Sequence, residues 1–513
     1  MIRSLLTVST GTLASRLLGF ARDAMVAALL GAGPVADAFL LAFQLVNVVR
    51  RLLTEGALNN ALVPIWLSVN ETKGPVAAGA FAGRVLGTVS TALIALTVAA
   101  GLLMPLIIAA LAPGFAATTL HPAVTDARLM LPYLAFAGPA TVTMALLNAQ
   151  GRFALTAFAP LLFNSALIAV MIVLFLRRWD ESDAAFAVAT TVGIAGLLQL
   201  LILILRSRGS HFATPLRVTF DSEMRGFLAK AIPGMVAGAG PQLLIVAGAI
   251  VASSSPSAVS WLYFANRLIE LPLGIVGVAV GAVLVPELAR TVHADDHNAT
   301  THAQSRGLEL ATGLALPATL GLIALSDPVV RLLFQHGAFV AADTTGTAQA
   351  LAWLALALPA QVLIKALSPA FFARGDTMTP LWATLKGLAV TIVLAIVLGR
   401  LFGVPGIAVA IAFGAWSGAL SLIRRGANTF GFSIDAAARR RLLRIVVAAL
   451  AMGGLLWLTA PFVLTSADAP VPMHLLLTAV LIAGGIAVYG LFLVLLGVIR
   501  WNEAISAFRQ SSV

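Results

Sequence analysis

The residues that could do chemistry in this sequence are ionisable groups set inside long apolar stretches. Arg16, Arg22, Asp23, Asp37, Arg50, Arg51 and Glu55 place seven charges within 40 residues. At the centre of a membrane-inserted helix such a group costs about 2.5–3.5 kcal/mol, so it normally faces a cavity or a partner. Spacing sorts them further. Arg16 and Asp23 are seven apart, which at about 3.6 residues per turn puts them on nearly the same helix face. Asp37, Gln44 and Arg51 also recur every seven, and Glu55 follows Arg51 at i+4. Two such stripes facing each other would line a hydrated cavity, with carboxylates holding the guanidinium groups. A further set, Asn266, Arg267 and Glu270, follows the aromatic run Trp261–Phe264, and Lys365 and Lys386 lie in later apolar segments.

Arginine presents planar, bidentate donors suited to phosphate and stays charged when desolvated. Arg22 and Arg267 therefore suit a phosphate or diphosphate, whereas a cation site would need a surplus of carboxylates. Arg50, Arg51 and Glu55 sit near a helix end, where snorkelling to headgroups or structural ion pairing competes with substrate binding. The loop residues His293, Asp295, Asp296, His297 and His302 have metal-like spacing but read as a solvated loop, so no metal site is expected. No HExxH, phosphate-loop lysine motif or nucleophile elbow is present. The absence of cysteine removes thiolate metal sites, disulfides and a cysteine nucleophile.

The elements that must position these groups follow from composition. Of 513 residues, 60% are hydrophobic and only 32 are basic and 21 acidic; a soluble chain of this length would carry roughly 128 charges. A water-soluble globule is excluded. Apolar segments fall at roughly 5–30, 34–66, 80–111, 125–149, 155–176, 184–205, 227–252, 257–288, 306–325, 345–372, 380–399, 404–423, 442–464 and 474–499, many of them reaching the roughly 20 residues that span a bilayer. The fold class is thus an all-α polytopic membrane protein of about 14 transmembrane helices. The N-terminus reads as a retained first helix, because Arg16, Arg22 and Asp23 interrupt the apolar core a signal peptide would need. The net charge of +11 comes from basic residues spread over short loops, which argues against nucleic acid and for topology. Lys73, Arg152, Arg206, Arg225 and Arg439–Arg441 fall on one side; Arg177, Arg178, Arg331 and Arg400 fall on the other. Both termini are therefore expected in the cytoplasm.

A weak internal repeat adds to this. Leu131–Pro139 followed by Asn148–Arg152 resembles Leu351–Pro359 followed by Ala373–Asp376, and Leu62–Pro64 matches Leu284–Pro286, at offsets near 220 residues. The pattern is a parallel repeat of six helices, the plan of two-lobed transporters with a site between the halves. It divides the chain into an N-terminal lobe over 1–220, a C-terminal lobe over 221–430, and two extra helices over 431–513. The seventh segment carries Gly238, Gly240 and Pro241, readable as a hinge or as close packing.

The N-terminal blocks Ser15–Asp23, Gly31–Gly33, Ala36–Phe39, Asn47, Arg50–Arg51 and Glu55–Ala57 closely resemble the signature of the MurJ (MviN) family, bacterial lipid II flippases of the MOP transporter superfamily. Trp261–Leu268, Gly274–Pro286 and Ala373–Pro380 resemble the family's eighth helix and its helix 10–11 junction. The resemblance implies that lipid II, an undecaprenyl diphosphate carrying a disaccharide-pentapeptide, is moved between leaflets of the cytoplasmic membrane by alternating access. It also implies functional positions for Arg16, Arg22, Asp23, Asp37, Arg50, Glu55 and Arg267, and a lipid-tail groove shaped by the last two helices. No enzyme activity, cofactor or nucleic acid is implied; the lipid bilayer is the setting, the membrane potential or an ion gradient is the expected driving force, and a monomer is expected to suffice. Where the family often has a cation followed by a proline, this chain has Gln44–Asn47, and Asn266 stands where the family usually has Asp. The seventh segment has no carboxylate, so sodium coupling through it is not expected. A flippase for another polyprenyl diphosphate-linked glycan, or a MATE-like antiporter, is the alternative.

Overall fold

Backbone polar groups immersed in hydrocarbon must pair within their own segment, and for single apolar runs that means the α-helix. The computed structural model describes residues 2–54, 57–207, 216–293, 297–372, 374–463 and 471–498. Regular structure among these is helical: α1 (Ile2–Leu30), α2 (Pro34–Thr54), α3 (Ala57–Leu111), α4 (Ala117–Met130), α5 (Pro132–Ala149), α6 (Phe153–Arg177), α7 (Glu181–Ser207), α8 (Ser222–Gly238), α9 (Gly240–Ala252), α10 (Ala258–His293), α11 (His297–Ala324), α12 (Ser326–Phe334), α13 (Ala341–Leu354), α14 (Leu358–Phe372), α15 (Met378–Phe430), α16 (Ala436–Val463) and α17 (Val471–Leu495), with a 3₁₀ turn at Ala355–Ala357.

Nine stretches of the described residues are long and apolar enough to cross a membrane, or ten if α8 and α9, bent by 58°, form one span. These are fewer than the fourteen segments expected, and two features account for much of the difference. The helices holding the singled-out charges, α1, α2 and α10, are not among the nine. The two longest stretches are each broken at a glycine, Gly74 (φ 82°) and Gly403 (φ 63°). At 53 residues α15 would reach roughly 80 Å if straight, far beyond the roughly 30 Å of hydrocarbon. Gly403 adopts a backbone conformation that side chains disfavour, and the arms on either side then run antiparallel: a Cβ on Gly414 would stand 2.6 Å from the Gly387 carbonyl, and one on Gly418 3.3 Å from that of Ala383. The second expected segment, 34–66, is helical over its described residues, in α2 as far as Thr54 and in α3 from Ala57.

The chain forms two compact units. One comprises Met1–Phe264 with His336–Asp343, the other Ala265–Gln335 with Thr344–Val513. In the first, α1 packs on α6, α2 on α4, and α5 on α3 and α7. Its core joins Leu62, Phe81, Val85, Leu146 and Phe227, all essentially sealed from solvent. An extended strap ahead of α8 lies on α3, fastened by an Arg84–Asp221 ion pair of 2.6 Å, while Asp221 also caps α8 by accepting from Met224 N. In the second unit α11 packs on α16 and α14, α14 on α15, and α16 on α17. The Tyr489 hydroxyl ties α17 to α11 by donating to Gly313 O at 2.7 Å. An apolar cavity of about 410 Å³ opens here, lined among others by Leu316, Leu320, Phe413, Trp416 and Leu450.

Candidate substrate site

In the first unit, α1 carries Arg22 and Asp23 into a closed polar knot. Arg22 donates from Nε (2.8 Å) and Nη2 (2.6 Å) to Asp23 Oδ1, and from Nη1 to Asn164 Oδ1 (3.0 Å). Asn164, on α6, turns its own amide to Ser15 O (3.2 Å). The Tyr263 hydroxyl, near the start of α10, donates to Asp23 Oδ1 (3.3 Å). The guanidinium carbon lies 4.8 Å from the centroid of the Phe43 ring and 5.9 Å from that of Phe163, and a desolvated cation against an aromatic face gains up to about 2 kcal/mol. Arg22 is 6% exposed and Asp23 1%. Asp23 thus pairs with its neighbour Arg22. Arg16 stands half-buried on the same helix.

Asp37, in the first turn of α2, is 2% exposed. Its Oδ2 accepts from Ser257 N (2.8 Å), and its Oδ1 accepts from Ser260 N (2.8 Å) and Ser260 Oγ (2.5 Å). It therefore satisfies the orphan amides at the start of α10, the role of an N-cap supplied from another helix. Ser257 has φ of 65° and donates its hydroxyl to Ala32 O (3.1 Å). Close by, Ala338 N donates to Ala28 O (2.8 Å), and Gly31 and Gly337, at φ 63° and 60°, let the two loops meet where a Cβ on Gly31 would stand 2.6 Å from Ala338 O. Trp261 Nε1 donates to Asp343 Oδ1 (3.3 Å). The α1–α2 loop, the start of α10 and residues 336–343 thus form one clasp.

Near the end of α2, Arg50 is half-buried and donates from Nε to Asn47 Oδ1 (3.1 Å). Arg51 donates to the Gln242 amide oxygen, and the Gln242 nitrogen donates to Ala239 O (3.2 Å), in the amide orientation that satisfies both groups. Ala239 is the residue between Gly238, which ends α8, and Gly240, which begins α9 with Pro241 next, so Arg51 reaches the bend. Gln44 is buried at 8% exposure. Glu55 lies outside the described residues.

The second unit has its own set. Arg267 Nη1 donates to Glu270 Oε2 (2.9 Å), and Asn266 Nδ2 donates to Glu270 Oε1 (3.2 Å). All three are on α10, so one carboxylate holds both neighbours. Lys365 is half-buried with Nζ against Gly277 of α10, and Lys386 is exposed on α15. In the Arg374–Asp376 junction, Arg374 donates to Ala370 O (2.8 Å) and lies over Phe430, burial pulling its guanidinium below its ordinary range, while Asp376 accepts from Thr379 N (2.9 Å) at the start of α15. Of the metal-like loop, residues 294–296 lie outside the described residues; His302 sits 3.6 Å from Asp435. Among the described residues no three His, Asp or Glu side chains gather as metal ligands would.

Sequence reasoning missed Asn164, Tyr263, Ser257, Ser260 and Asp343. Asn164 was detectable as a lone amide in an apolar helix, and Ser257 and Ser260 as capping residues after a Ser/Pro-rich turn. Nothing local points to Tyr263 or Asp343.

The described helices, some of them broken, form a polytopic α-bundle in two compact units. Solved structures agree: a structure described as lipid II flippase MurJ in an inward closed conformation aligns with a TM-score of 0.77 at 23% identity, covering 96% of this chain and 98% of that one. An inward-facing MATE family transporter of the MOP superfamily aligns at 0.66 and 16% identity, covering 86% and 98%. At the level of sequence, the family described as lipid II flippase MurJ matches residues 26–476. A probable lipid II flippase MurJ of Rhizobium meliloti (strain 1021) is 37% identical over 100% of this chain and 96% of its own length, and the lipid II flippase MurJ of Burkholderia cenocepacia is 33% identical over 89% of each. The chain belongs to the MurJ family, whose members are flippases rather than enzymes.

Proposed function

We propose that this protein moves lipid II from the inner to the outer leaflet of the bacterial cytoplasmic membrane by alternating access, as a step in cell wall synthesis. The observation that carries the reading is the family match along nearly the whole chain, residues 26–476. Chemistry supports it. A diphosphate head needs bidentate cationic donors, and each unit offers arginines on membrane helices, Arg16 and Arg50 in the first and Arg267 in the second. The polyprenyl tail runs along α16 and α17, where the 410 Å³ cavity beside α16 is lined almost wholly by apolar side chains. The clasp around Asp37 is one gate of the cycle, opened by breaking its serine contacts. The bend at Gly238–Pro241 is a hinge. Basic loop residues put both termini in the cytoplasm, a single chain carries out transport, and the membrane potential or an ion gradient drives it.

The test is translocation of fluorescent lipid II in proteoliposomes with the membrane potential and the ion gradients collapsed separately. Labelled lipid should cross chemically unchanged. No crossing above protein-free vesicles, or recovery of a cleaved or transferred product, would overturn the reading.

A further inference from the structure

The turn between α6 and α7 borders a cavity of about 610 Å³ that the transport reading leaves unused. It lies within the first unit. Membrane-crossing stretches end at Arg177 and resume at Glu181, so the cavity sits where the chain leaves the hydrocarbon and re-enters it, at the level of the lipid head groups. Its wall is divided by chemistry. Arg178, Asp180 and Glu181 supply charge of both signs, and Trp179, half exposed, lies among them; an indole at this level is an interfacial anchor. Leu29, Val35 and Leu174 give the wall an apolar side. Phe175 belongs both to that side and, with Val173 and Leu176, to the exposed apolar surface of α6.

These charges share a cavity without pairing across it. Arg178 precedes Asp180 and Glu181 by two and three residues, yet among the described residues no hydrogen bond or ion pair joins its side chain to either. Asp183, facing Asp180, adds like charge at the rim. A simple anion would meet the carboxylates here, and a simple cation would meet Arg178. A zwitterion suits both, its phosphate taking the guanidinium fork and its ammonium the carboxylates. A primary ammonium brings N–H donors to those carboxylates, as lysine does; a trimethylammonium has none to bring. The apolar side then leads the acyl chains past Phe175 into the hydrocarbon.

We propose that this cavity seats the head of a phosphatidylethanolamine molecule from the adjoining leaflet. Arg178 holds the phosphate, Asp180 and Glu181 hold the ammonium, and Trp179 packs beside the glycerol. The site also touches the clasp: Ala28 and Ala338, joined by a backbone hydrogen bond of 2.8 Å, both line the cavity. A lipid seated here spans the α6–α7 turn and one fastening of the clasp, so its binding favours the state in which that fastening is made. The proposal does not depend on the lipid II reading, because it concerns a lipid that stays in its leaflet and its test involves no transport.

The experiment uses the purified full-length chain in detergent with phosphatidylethanolamine or phosphatidylcholine of identical acyl chains, and counts bound lipid by native mass spectrometry. Wild type should retain the ethanolamine lipid several-fold more than the choline lipid. Arg178→Gln and the double change Asp180→Asn with Glu181→Gln should each bring the two lipids to parity, whereas Arg400→Gln, at an exposed cation of α15 in the other unit, should keep the preference. The altered side chains are exposed, so the variants should melt as wild type does in the choline lipid. In the ethanolamine lipid, wild-type melting should rise by a few degrees and that of Arg178→Gln should not. A Ser182→Cys chain, altered on the cavity wall and otherwise free of cysteine, should be modified by a thiol reagent several-fold more slowly in the ethanolamine lipid than in the choline lipid. Equal retention of the two lipids by wild type, a preference that survives both cavity variants, or equal modification of the Ser182→Cys chain would overturn the proposal. Protection of that chain by phosphatidylglycerol or by lipid II in place of the ethanolamine lipid would overturn it as well.

Discussion

Arg22 and Arg267 share a residue type and a membrane helix setting, but their surroundings differ in kind. Arg22 is fixed by groups from three helices, α1, α6 and α2, with nitrogen donors on Asp23 and Asn164 and aromatic rings at 4.8 and 5.9 Å. Arg267 pairs with Glu270 three residues on in its own helix, and its side chain is 16% exposed against 8% for Arg22. A guanidinium locked on several sides has little capacity left to meet an arriving diphosphate. A more exposed one paired within its own helix can exchange that hydrogen bond for a phosphate oxygen. The difference separates a cation that holds helices together from one positioned to bind.

The largest effect expected from this contrast is that of Arg22→Ala. Removing one member of a buried pair strands Asp23 and Asn164 and costs about 3–5 kcal/mol, so the variant should fall in membrane level and in melting temperature as well as failing to complement a flippase-depleted strain. Arg22→Lys should recover only part, because an ammonium cannot reproduce the fork and the stacking. Normal abundance and melting of Arg22→Ala would break the contrast. Arg267→Ala should cost about 1–3 kcal/mol, the worth of a charged hydrogen bond, and leave abundance near normal while abolishing lipid II translocation. Full translocation by a well-expressed Arg267→Ala would remove Arg267 from the substrate site.

Much of this was legible in the sequence. The helical membrane class followed from charge-poor runs of span length. What was not legible is what long-range packing decides. Asp37 sits on the stripe with Gln44 and Arg51, which suggested a shared cavity, yet its oxygens are taken by Ser257 and Ser260, 220 and 223 residues away. Arg22 is sealed by Phe43 and Phe163 from two other helices, and aromatic residues in apolar runs carry no mark of the cation they will cover. Hydropathy is indifferent to backbone direction, so the 58° bend at Ala239 was legible only in Gly238, Gly240 and Pro241.

Asp37 belongs with Arg22 on the locked side of the contrast. Asp37→Ala should cost about 1–2 kcal/mol, the usual worth of a lost cap, and Asp37→Asn less, since an amide oxygen still accepts from the serines. If the clasp is a gate, Asp37→Ala should also increase modification of a cysteine placed at Ser257 by an impermeant thiol reagent, a measurement made simple because the chain has no native cysteine. Unchanged labelling together with lowered melting would leave Asp37 a cap and nothing more.

Arg51 falls between the two plans, and the smallest effect tests which it follows. Its contact with Gln242 joins the end of α2 to the bend at Ala239. Gln242→Ala removes the hydrogen bond from half-buried Arg51 and the weaker one to Ala239 O, so stability should fall by about 1–2 kcal/mol. A structural role predicts that small shift and an unaltered translocation rate. A coupling role predicts the reverse weighting: little change in melting but a changed rate, because the bend would open and close without Arg51 following it. Comparing Gln242→Ala with Pro241→Ala sharpens the outcome, since the proline change frees the start of α9 while leaving the Arg51 contact in place. If both alter the rate while only Gln242→Ala abolishes the effect of a further Arg51→Ala change, the bend is a hinge and Arg51 acts through it.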